Sequence, residues 1–388
     1  MHVGKTLFAQ IMDFLPWSTF RRIVKQYGGD RNVRKLNCAE QFRAMAFAQL
    51  TYRESLRDIE VCLASQAEKL YHMGFREPVR RTTLADANER RDWRIYADFA
   101  QVMIRQARTT YEGDKPDLNL DGSIYALDST TIDLCLALFP WAPFRSTKAA
   151  IKLHTLVDLN GPTIPSFIHI SSGKMHDVKA LDMIVYEPGA YYVFDRGYVD
   201  FQRLHKIHSA GSFFVTRSKR GMDARRLYSR EVDRSTGLAS DQVILLEGFY
   251  SNKGYPDKLR RIRFKDPESG KRLAFITNNM ELPAMTICLI YKHRWRVELF
   301  FKWIKQHLRV KRFYGQSPNA VKSQIWIAIT VYVLIAIVKR RLDLQIPIYT
   351  FLQVLSVSIF EKMPIKKAFP NKLYSPEPVV DGNQLNLL

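Results

Sequence analysis

Residues 291–305 are the stretch that most constrains this chain, because they contain neither proline nor glycine and carry an apolar and a charged pattern together. At about 100° per residue, a single helix here gathers apolar side chains on one side. That apolar set is Val297, Phe300, Phe301, Ile304 and Leu308. The other side carries Tyr291, Arg294, Glu298, Lys302 and Lys305. One face is therefore expected to enter a core and the other to carry chemistry.

Two interpretations of the charged face are open. In an ordinary amphipathic helix such a face is simply solvated. A single acid among arginine and lysine, with an aromatic ring on the same face, also suits a carboxylate that holds a metal ion while its neighbours hold phosphate. The second interpretation explains more of the pattern.

The charge of the chain indicates a polyanionic partner. Its 388 residues suffice for two or three domains, and 46% of them are hydrophobic, as in globular proteins. Lysine and arginine number 59 against 38 acids, which gives a net charge of +21. Nucleic acid is the first partner expected, because neutralisation of phosphate by Lys and Arg dominates such binding. A basic membrane-surface protein is the competing class.

Cysteines and apolar runs bear on the compartment. The cysteines are scattered without zinc spacing, so reduced intracellular thiols are expected. They are Cys38, Cys62, Cys135 and Cys288. The apolar stretch after Lys5 is broken by Asp13 and is not a signal peptide. Residues 325–338 are apolar but shorter than the ~20 residues of a membrane span, which predicts a buried helix in a cytoplasmic protein with no membrane partner.

Changes in composition divide the chain into five parts. Residues 1–112 have apolar positions at helical spacing and are predicted to form an all-α N-terminal domain. After a polar linker at 112–119, residues 120–217 alternate strands with helices that are predicted at 178–185 and 199–208, a pattern that 281–370 completes with the helix described above. Three strands followed by alternating strands and helices is the order of a ribonuclease-H-like α/β fold. Residues 371–388 are predicted to be a loose tail.

The predicted helical domain contains two places suited to DNA contact. Ser55 can cap a helix with Arg57 on its first turn. Further on, two arginines and two threonines start a second helix with a basic face. These residues are Arg80, Arg81, Thr82 and Thr83, followed by Asn88, Arg90, Arg91 and Arg94. A solvated helix face is the alternative for each arginine.

Residues 218–280 are predicted to form a β-rich, basic insertion. They include strand-like pieces at 242–246, 259–264 and 272–277. The excess of arginine and lysine favours a phosphate-binding surface over a merely solubilising subdomain.

Two acids occupy apolar strand segments. Asp128 lies within Ile-Tyr-Ala-Leu-Asp-Ser-Thr-Thr-Ile, and Asp195 ends Tyr-Tyr-Val-Phe-Asp before Arg196. A carboxylate in such a place is costly unless it is paired or bound to a metal, although acids that cap a neighbouring turn are common. Gly197 allows a tight turn at the sheet edge, where sites in such folds lie.

Four other acids are rivals for a catalytic role. Asp121 and Asp158 precede turn signals and look structural. Asp133 lies five residues after Asp128, so in a regular strand it faces the opposite side. Asp177 lies in a loop that could approach the site, and a supporting role for it is open.

The order of these residues resembles that of DDE transposases. Tyr291, Arg294, Glu298 and Lys305, spaced by two, three and six residues, resemble the YREK signature of insertion-sequence family four. Asp128 and the Asp-Arg-Gly-Tyr motif at 195–198 precede them in the expected order. The resemblance covers about residues 122–339, and more weakly the helical N-terminal domain, which would bind DNA ends.

The resemblance implies a mechanism and a set of site residues. Asp128, Asp195 and Glu298 would be catalytic and would bind two Mg²⁺ ions, for which Mn²⁺ is expected to substitute. Phosphates of double-stranded DNA, at the transposon ends and target, would be contacted by six residues. These are Tyr291, Arg294, Lys305, Lys302, Arg196 and Tyr198. A homodimer on DNA, associated with the bacterial nucleoid, is also implied.

One departure concerns hairpin formation, since relatives that cut through a hairpin stack a flipped base on a tryptophan of the insertion. Residues 218–280 contain no tryptophan, and Phe249 or Tyr250 is the available replacement. Two alternatives to a transposase are left open: a nuclease without strand transfer, and a catalytically silent DNA-binding repressor. The presence of all three acids argues against the repressor.

Overall fold

The computed structural model describes residues 4–111, 120, 122–159, 163–267, 269–307 and 313–369, without the side chains of 306 and 307. The chain forms two compact units. Among the described residues, the helical unit comprises those within 4–111, 132–151 and 302–369, and the sheet unit comprises those within 120–131 and 152–301. Each unit is thus assembled from separate stretches of sequence. The predicted linker and tail, Asp121, and the turn signal at 160–161 lie outside the described residues.

The helices follow the apolar periodicity and begin at recognisable caps. Asn37 and Glu40 form a capping box at α3, and Ser55 and Asp58 form another at α4, so the predicted Ser55 cap is confirmed. The helices are α1 Leu7–Met12, α2 Trp17–Gln26, α3 Cys38–Leu50, α4 Leu56–Ala64, α5 Arg81–Arg90, α6 Arg94–Thr110, α7 Phe201–Ser209, α8 Phe249–Gly254, α9 Ala284–Lys292, α10 Trp295–His307, α11 Pro318–Arg341, α12 Ile348–Ser358 and α13 Ile365–Ala368.

The helical unit is built around α11, which is longer than the predicted 325–338. Ser317 caps it and Pro318 occupies its first turn, so it starts well before the apolar run. By length and composition it could cross a membrane, yet 94% of its most apolar window is buried. Within the unit it packs against α3, α5 and α6. Its apolar composition is therefore explained by a protein core.

The strands form one ten-stranded sheet. They are β1 Ile124–Leu134, β2 Pro143–Arg145, β3 Lys148–Asp158, β4 Ile164–Ser172, β5 Tyr191–Phe194, β6 Phe213–Arg217, β7 Ala224–Arg230, β8 Leu238–Leu246, β9 Leu259–Lys265 and β10 Arg272–Thr277. Their order is β2-β3-β1-β5-β6-β10-β9-β8-β7, and β4 pairs with β3. β1, β5 and β6 are mutually parallel, with Ala126 opposite Val193 and Val193 opposite Val215.

The strands of the predicted insertion continue this sheet. β10 pairs antiparallel with β6, and β9, β8 and β7 follow in antiparallel pairs. Sequence patterns identified three of these four strands. β7 was missed because its residues, Ala-Arg-Arg-Leu-Tyr-Ser-Arg, are mostly exposed and carry no apolar alternation.

Two helical predictions need correction. Residues 291–305 are not one helix, because α9 ends at Lys292 and α10 begins at Trp295, leaving His293 and Arg294 in a turn. The amides of Arg296 and Val297 bond three residues back, to His293 and Arg294, as in a tighter 3₁₀ turn. The other predicted helix, at 178–185, is a 3₁₀ segment, Asp177–Met183. Local helix propensity does not register tertiary contacts, and both places make them: Arg294 bonds to Asp128 on β1, and Asp177 bonds to Ser129 on β1 and Lys152 on β3.

A buried ion pair joins β8 to β9. Arg260 donates from Nε and Nη2 to Asp241 at 2.9 and 2.7 Å, and from Nη1 to the carbonyl of Leu282 at 2.6 Å. The two charged side chains are only 2% and 4% exposed. Removal of one partner therefore leaves a charge in the core of the sheet unit.

Asp241→Ala is expected to lower the free energy of unfolding by about 3–5 kcal/mol, because Arg260 would be buried without its carboxylate. Glu247→Ala, which breaks the exposed Arg225–Glu247 pair at 3.0 Å, is the matched control and should cost less than about 1 kcal/mol. Urea denaturation followed by circular dichroism measures both. Equal losses in the two variants would show that burial does not determine how much an ion pair contributes to the free energy of unfolding.

Candidate active site

Asp128 and Asp195 lie at corresponding points on neighbouring parallel strands. Asp128 lies on β1 two residues after Ala126, and Asp195 follows β5 two residues after Val193, the register partner of Ala126. β5 ends just before Asp195, whereas β1 continues past Asp128 to Leu134, so the register of the two strands, and not their ends, sets this arrangement. The two predicted acids therefore lie side by side where β5 ends.

Asp195 is held in a tight turn. It caps a 3₁₀ segment, Arg196–Tyr198, and its side chain accepts a hydrogen bond from the Gly197 amide at 2.5 Å. A Cβ atom on Gly197 would lie 2.8 Å from Asp195 Oδ1. Glycine at position 197 thus lets the backbone approach the carboxylate.

Arg294 connects the other two elements of the site. Its Nη1 donates to Asp128 Oδ2 at 2.9 Å, and its Nη2 donates to Glu298 Oε1 at 2.7 Å. The side chains of Arg294, Asp128 and Glu298 are 14%, 21% and 35% exposed. The guanidinium therefore holds strand β1 to the first turn of α10. Among the described residues, its buried Nε has no hydrogen-bond partner.

The electrostatics of Asp128 depend on its burial and on three charged neighbours. Burial is the largest cause that raises the pKa of Asp128, to about 6; Asp195 and Glu298 also act to raise it, and Arg294 acts to lower it. Burial of Arg294 acts to lower the pKa of its guanidinium, but Tyr291, Asp128 and Glu298 outweigh that effect and raise it. In this cluster of charged side chains Arg294 is paired with Asp128 and Glu298, and the charge of Asp195 acts on Asp128.

The predicted DNA-contact residues differ in exposure. Tyr291 is 5% exposed, and its ring packs on Phe275 with the two ring centroids 4.7 Å apart. The guanidinium carbon of Arg294 lies 5.8 Å from the centroid of the Tyr291 ring. Tyr198 is 2% exposed and packs on Phe194, a packing role that sequence reasoning did not foresee.

The three cationic candidates outside the cluster are all exposed: Arg196, Lys302 and Lys305. Both lysines lie on α10, in the part of that helix that belongs to the helical unit. The contacts of all these residues with DNA stay predictions.

The donor set suits a hard divalent cation, since all three acids offer carboxylate oxygens. In the described part of the chain, no three His, Cys, Asp or Glu side chains lie close enough to share an ion as they stand. Arg294 bonds Asp128 and Glu298 at once, so the positive charge that these acids share is its guanidinium. The chemistry fits a metal, provided that Arg294 gives up these bonds.

Sequence reasoning missed a second polar cluster beside Asp128. Asp177, left open as a supporting acid, accepts hydrogen bonds at Oδ1 from Ser129 Oγ at 2.7 Å and from Lys152 Nζ at 3.0 Å. The available signal was Lys152 itself, a charged residue inside the apolar strand Ala-Ala-Ile-Lys-Leu-His. The rival Asp133 is exposed.

The helical unit brings its two predicted DNA-contact places together. A cavity of about 630 Å³ is lined by residues from both, together with three aromatic rings. The lining includes Ser55, Arg57, Arg81, Thr82, Phe139, Phe313 and Tyr314. In the sheet unit, Phe249 and Tyr250 of the predicted insertion are 74% and 86% exposed.

Comparison with known proteins adds independent findings. Residues 119–334 match the family model "Transposase DDE domain", and residues 3–76 match a "Domain of unknown function (DUF4372)". A Sinorhizobium fredii protein named as a transposase (y4zB) is 32% identical over 287 residues, covering 73% of this chain and 78% of that protein.

Two further relatives carry insertion-sequence names. A Geobacillus stearothermophilus protein named for insertion sequence element IS5377 is 28% identical over 244 residues, 62% of each chain. A Synechocystis protein named for element IS4SA is 24% identical over 264 residues, covering 67% of this chain and 72% of that protein. The domain match spans more than half of the chain and includes every catalytic candidate, so the protein belongs to the DDE transposase family.

Proposed function

We propose that this protein is the transposase of a bacterial insertion sequence, which binds the ends of its element and cuts and joins DNA by a two-metal mechanism. The single observation that carries the proposal is the convergence of Asp128 and Glu298 on Arg294, next to Asp195 where β5 ends. Acids that gather around one exchangeable cation are suited to holding metal ions. The family supports the same reaction class.

We also propose a closer placement within the family. The spacing of Tyr291, Arg294, Glu298 and Lys305 supports insertion-sequence family four. The strand order β4-β3-β1-β5-β6, with the last three strands parallel, supports a ribonuclease-H-like core. The N-terminal helices would bind DNA ends, β7 to β10 would belong to the basic insertion, and the protein would act as a homodimer on the nucleoid.

The roles of the site residues follow from their contacts. Asp128, Asp195 and Glu298 would hold two Mg²⁺ ions or their Mn²⁺ substitutes. When bound, such ions activate the attacking water or 3′-hydroxyl and stabilise the leaving oxygen. Arg294 would exchange its carboxylate bonds for bonds to a DNA phosphate, a ligand that its guanidinium binds equally well. Its unpartnered Nε supplies a further donor for that phosphate.

Glu298→Gln is expected to lower Mg²⁺-dependent cleavage of DNA carrying the element's ends by about a thousandfold or more, because the amide removes a charged metal ligand. Binding of the same DNA should be retained. Gel analysis of cleaved ends and fluorescence anisotropy measure the two properties. Asp133→Asn, an exposed acid on β1, is the control and should cleave normally.

The outcomes separate the candidate functions. Tight binding of the ends without cleavage, even by the unmodified protein, would contradict the enzyme and leave a DNA-binding repressor. Cleavage without joining of a 3′-hydroxyl end to target DNA would indicate a nuclease.

Lys302→Ala and Lys305→Ala are each expected to reduce the slope of log affinity against log salt for end DNA by about one, since each would lose one phosphate contact. Fluorescence anisotropy between about 50 and 200 mM salt measures the slope. Lys206→Ala removes an exposed lysine that pairs with Asp182 at 3.6 Å, and its slope should not change. An unchanged slope in both α10 variants would exclude these lysines from the DNA surface.

A further inference from the structure

A carboxylate outside the three predicted acids joins the strand of Asp128 to its neighbour. Asp177 starts the 3₁₀ segment Asp177–Met183, and its Oδ1 accepts from Ser129 on β1 and from Lys152 on β3. Lys152 also donates to the carbonyl of Met175 at 3.0 Å. One oxygen atom therefore fixes two strands and the loop before the 3₁₀ segment.

The contact with Ser129 reaches the site through the backbone. Ser129 follows Asp128, and its amide donates to Asp128 Oδ1 at 2.8 Å. The other oxygen of Asp128 accepts from Arg294. Once Arg294 turned to a DNA phosphate, the Ser129 amide would be the remaining hydrogen bond that orients this carboxylate. The side chain of the same Ser129 donates to Asp177.

The charge of Asp177 is balanced where it lies. Lys152 is 14% exposed in its side chain, and a largely buried ammonium requires a partner. His154 Nδ1 lies 3.9 Å from Asp177 Oδ1, but burial lowers the pKa of His154 to about 4, so this imidazole is neutral at physiological pH. Lys152 therefore supplies the positive charge that offsets Asp177. Asp177 thus adds no uncompensated negative charge beside Asp128, Asp195 and Glu298.

We propose that Asp177 is a positioning residue, which acts through Ser129 to set the orientation in which Asp128 receives a metal ion. The inference rests on the proposed function, because it requires Asp128 to be a metal ligand. It goes beyond that function by assigning a positioning role to Asp177, Ser129 and Lys152, none of which contacts the reacting atoms. Partners behind a metal ligand typically change metal affinity by about 10–100-fold when they are removed.

The test is Mn²⁺ binding by the full chain on a short duplex carrying the element's end, measured as loss of the free-ion signal in electron paramagnetic resonance. Ser129→Ala and Asp177→Ala should each weaken Mn²⁺ binding by about 10–100-fold. The double variant should be no weaker than the single ones, because both changes break the same bond. At saturating Mn²⁺, cleavage by the variants should recover to near the unmodified rate.

The control is Asp182→Ala on the same 3₁₀ segment. Asp182 pairs with Arg203 at 2.6 Å and, in the structure, makes no contact with Ser129 or Lys152 that would link it to Asp128. Its loss should leave Mn²⁺ affinity within about twofold of the unmodified value. Thermal melts of all variants separate a loss of metal affinity from a loss of folding.

Asp128→Asn distinguishes failure of the inference from failure of the proposed function. If Asp128→Asn weakens Mn²⁺ binding while Ser129→Ala and Asp177→Ala do not, the positioning role is wrong and the metal site stands. If Asp128→Asn has no effect, or the unmodified protein binds no Mn²⁺, the proposed function itself is wrong. Equal losses in Asp177→Ala and Asp182→Ala would reduce the role of Asp177 to general stabilisation of the fold.

Discussion

The guanidinium of Arg294 is the interaction on which the site depends. Like charges that lie close together repel one another, and the raised pKa of Asp128 reflects its burial first and then the charges of Asp195 and Glu298. Arg294 bonds to two of the three and lies in the turn between α9 and α10. It thereby fixes the position of a helix relative to a strand that is 166 residues away in sequence. Strand register places Asp128 beside Asp195, and Arg294 adds Glu298 to them.

Under the proposed mechanism, the same bond would let the site exchange ligands. A guanidinium recognises carboxylate and phosphate with similar geometry, so a DNA phosphate can compete for Arg294. When Arg294 moves away, it leaves the carboxylates of Asp128 and Glu298, whose negative charge a divalent ion can neutralise. Binding of DNA and binding of metal would then favour each other. DNA would draw Arg294 away from the carboxylates that the metal needs, and the metal would draw the carboxylates away from the arginine that the phosphate needs. Such coupling has a thermodynamic consequence, because each ligand must raise the affinity for the other by the same factor.

The sequence predicted the parts of the fold whose signal is local. β1, β5 and β10 carry apolar runs bounded by turn residues, and their positions in the structure are close to those expected. The turn at His293–Arg294 could not be predicted, because Arg294 bonds to Asp128 on β1, a contact 166 residues away that local helix propensity does not register. β7 lacks alternation because most of it is exposed. The continuity of β10 with β6 depends on pairing between residues 58 or more positions apart, such as Phe275 with Arg217 (275 − 217 = 58), which no local pattern encodes.

The features of the candidate site likewise fall into those that have a local signal in the sequence and those that do not. Asp128 and Asp195 were identified because charge in an apolar strand is unusual, and Glu298 because it is a lone acid among cations. The link from Asp177 to Ser129 is a contact between a loop and a strand, so spacing along the chain does not reveal it. Tyr198 matched a motif, yet it lies in the core, because a motif identifies a residue type without fixing which way the side chain points.

The placement of α11 has a consequence for how the protein is made. This helix fills the centre of a unit whose other helices include α3 and α6, near the start of the chain. During synthesis the early helices leave the ribosome long before residue 318, and until then their apolar faces have no central helix to cover them. Long-range closure of this kind slows folding and prolongs exposure of apolar surface. The helical unit can be completed only when most of the chain has been translated, so a prematurely terminated transposase would lack the core of the unit that contains its first helix.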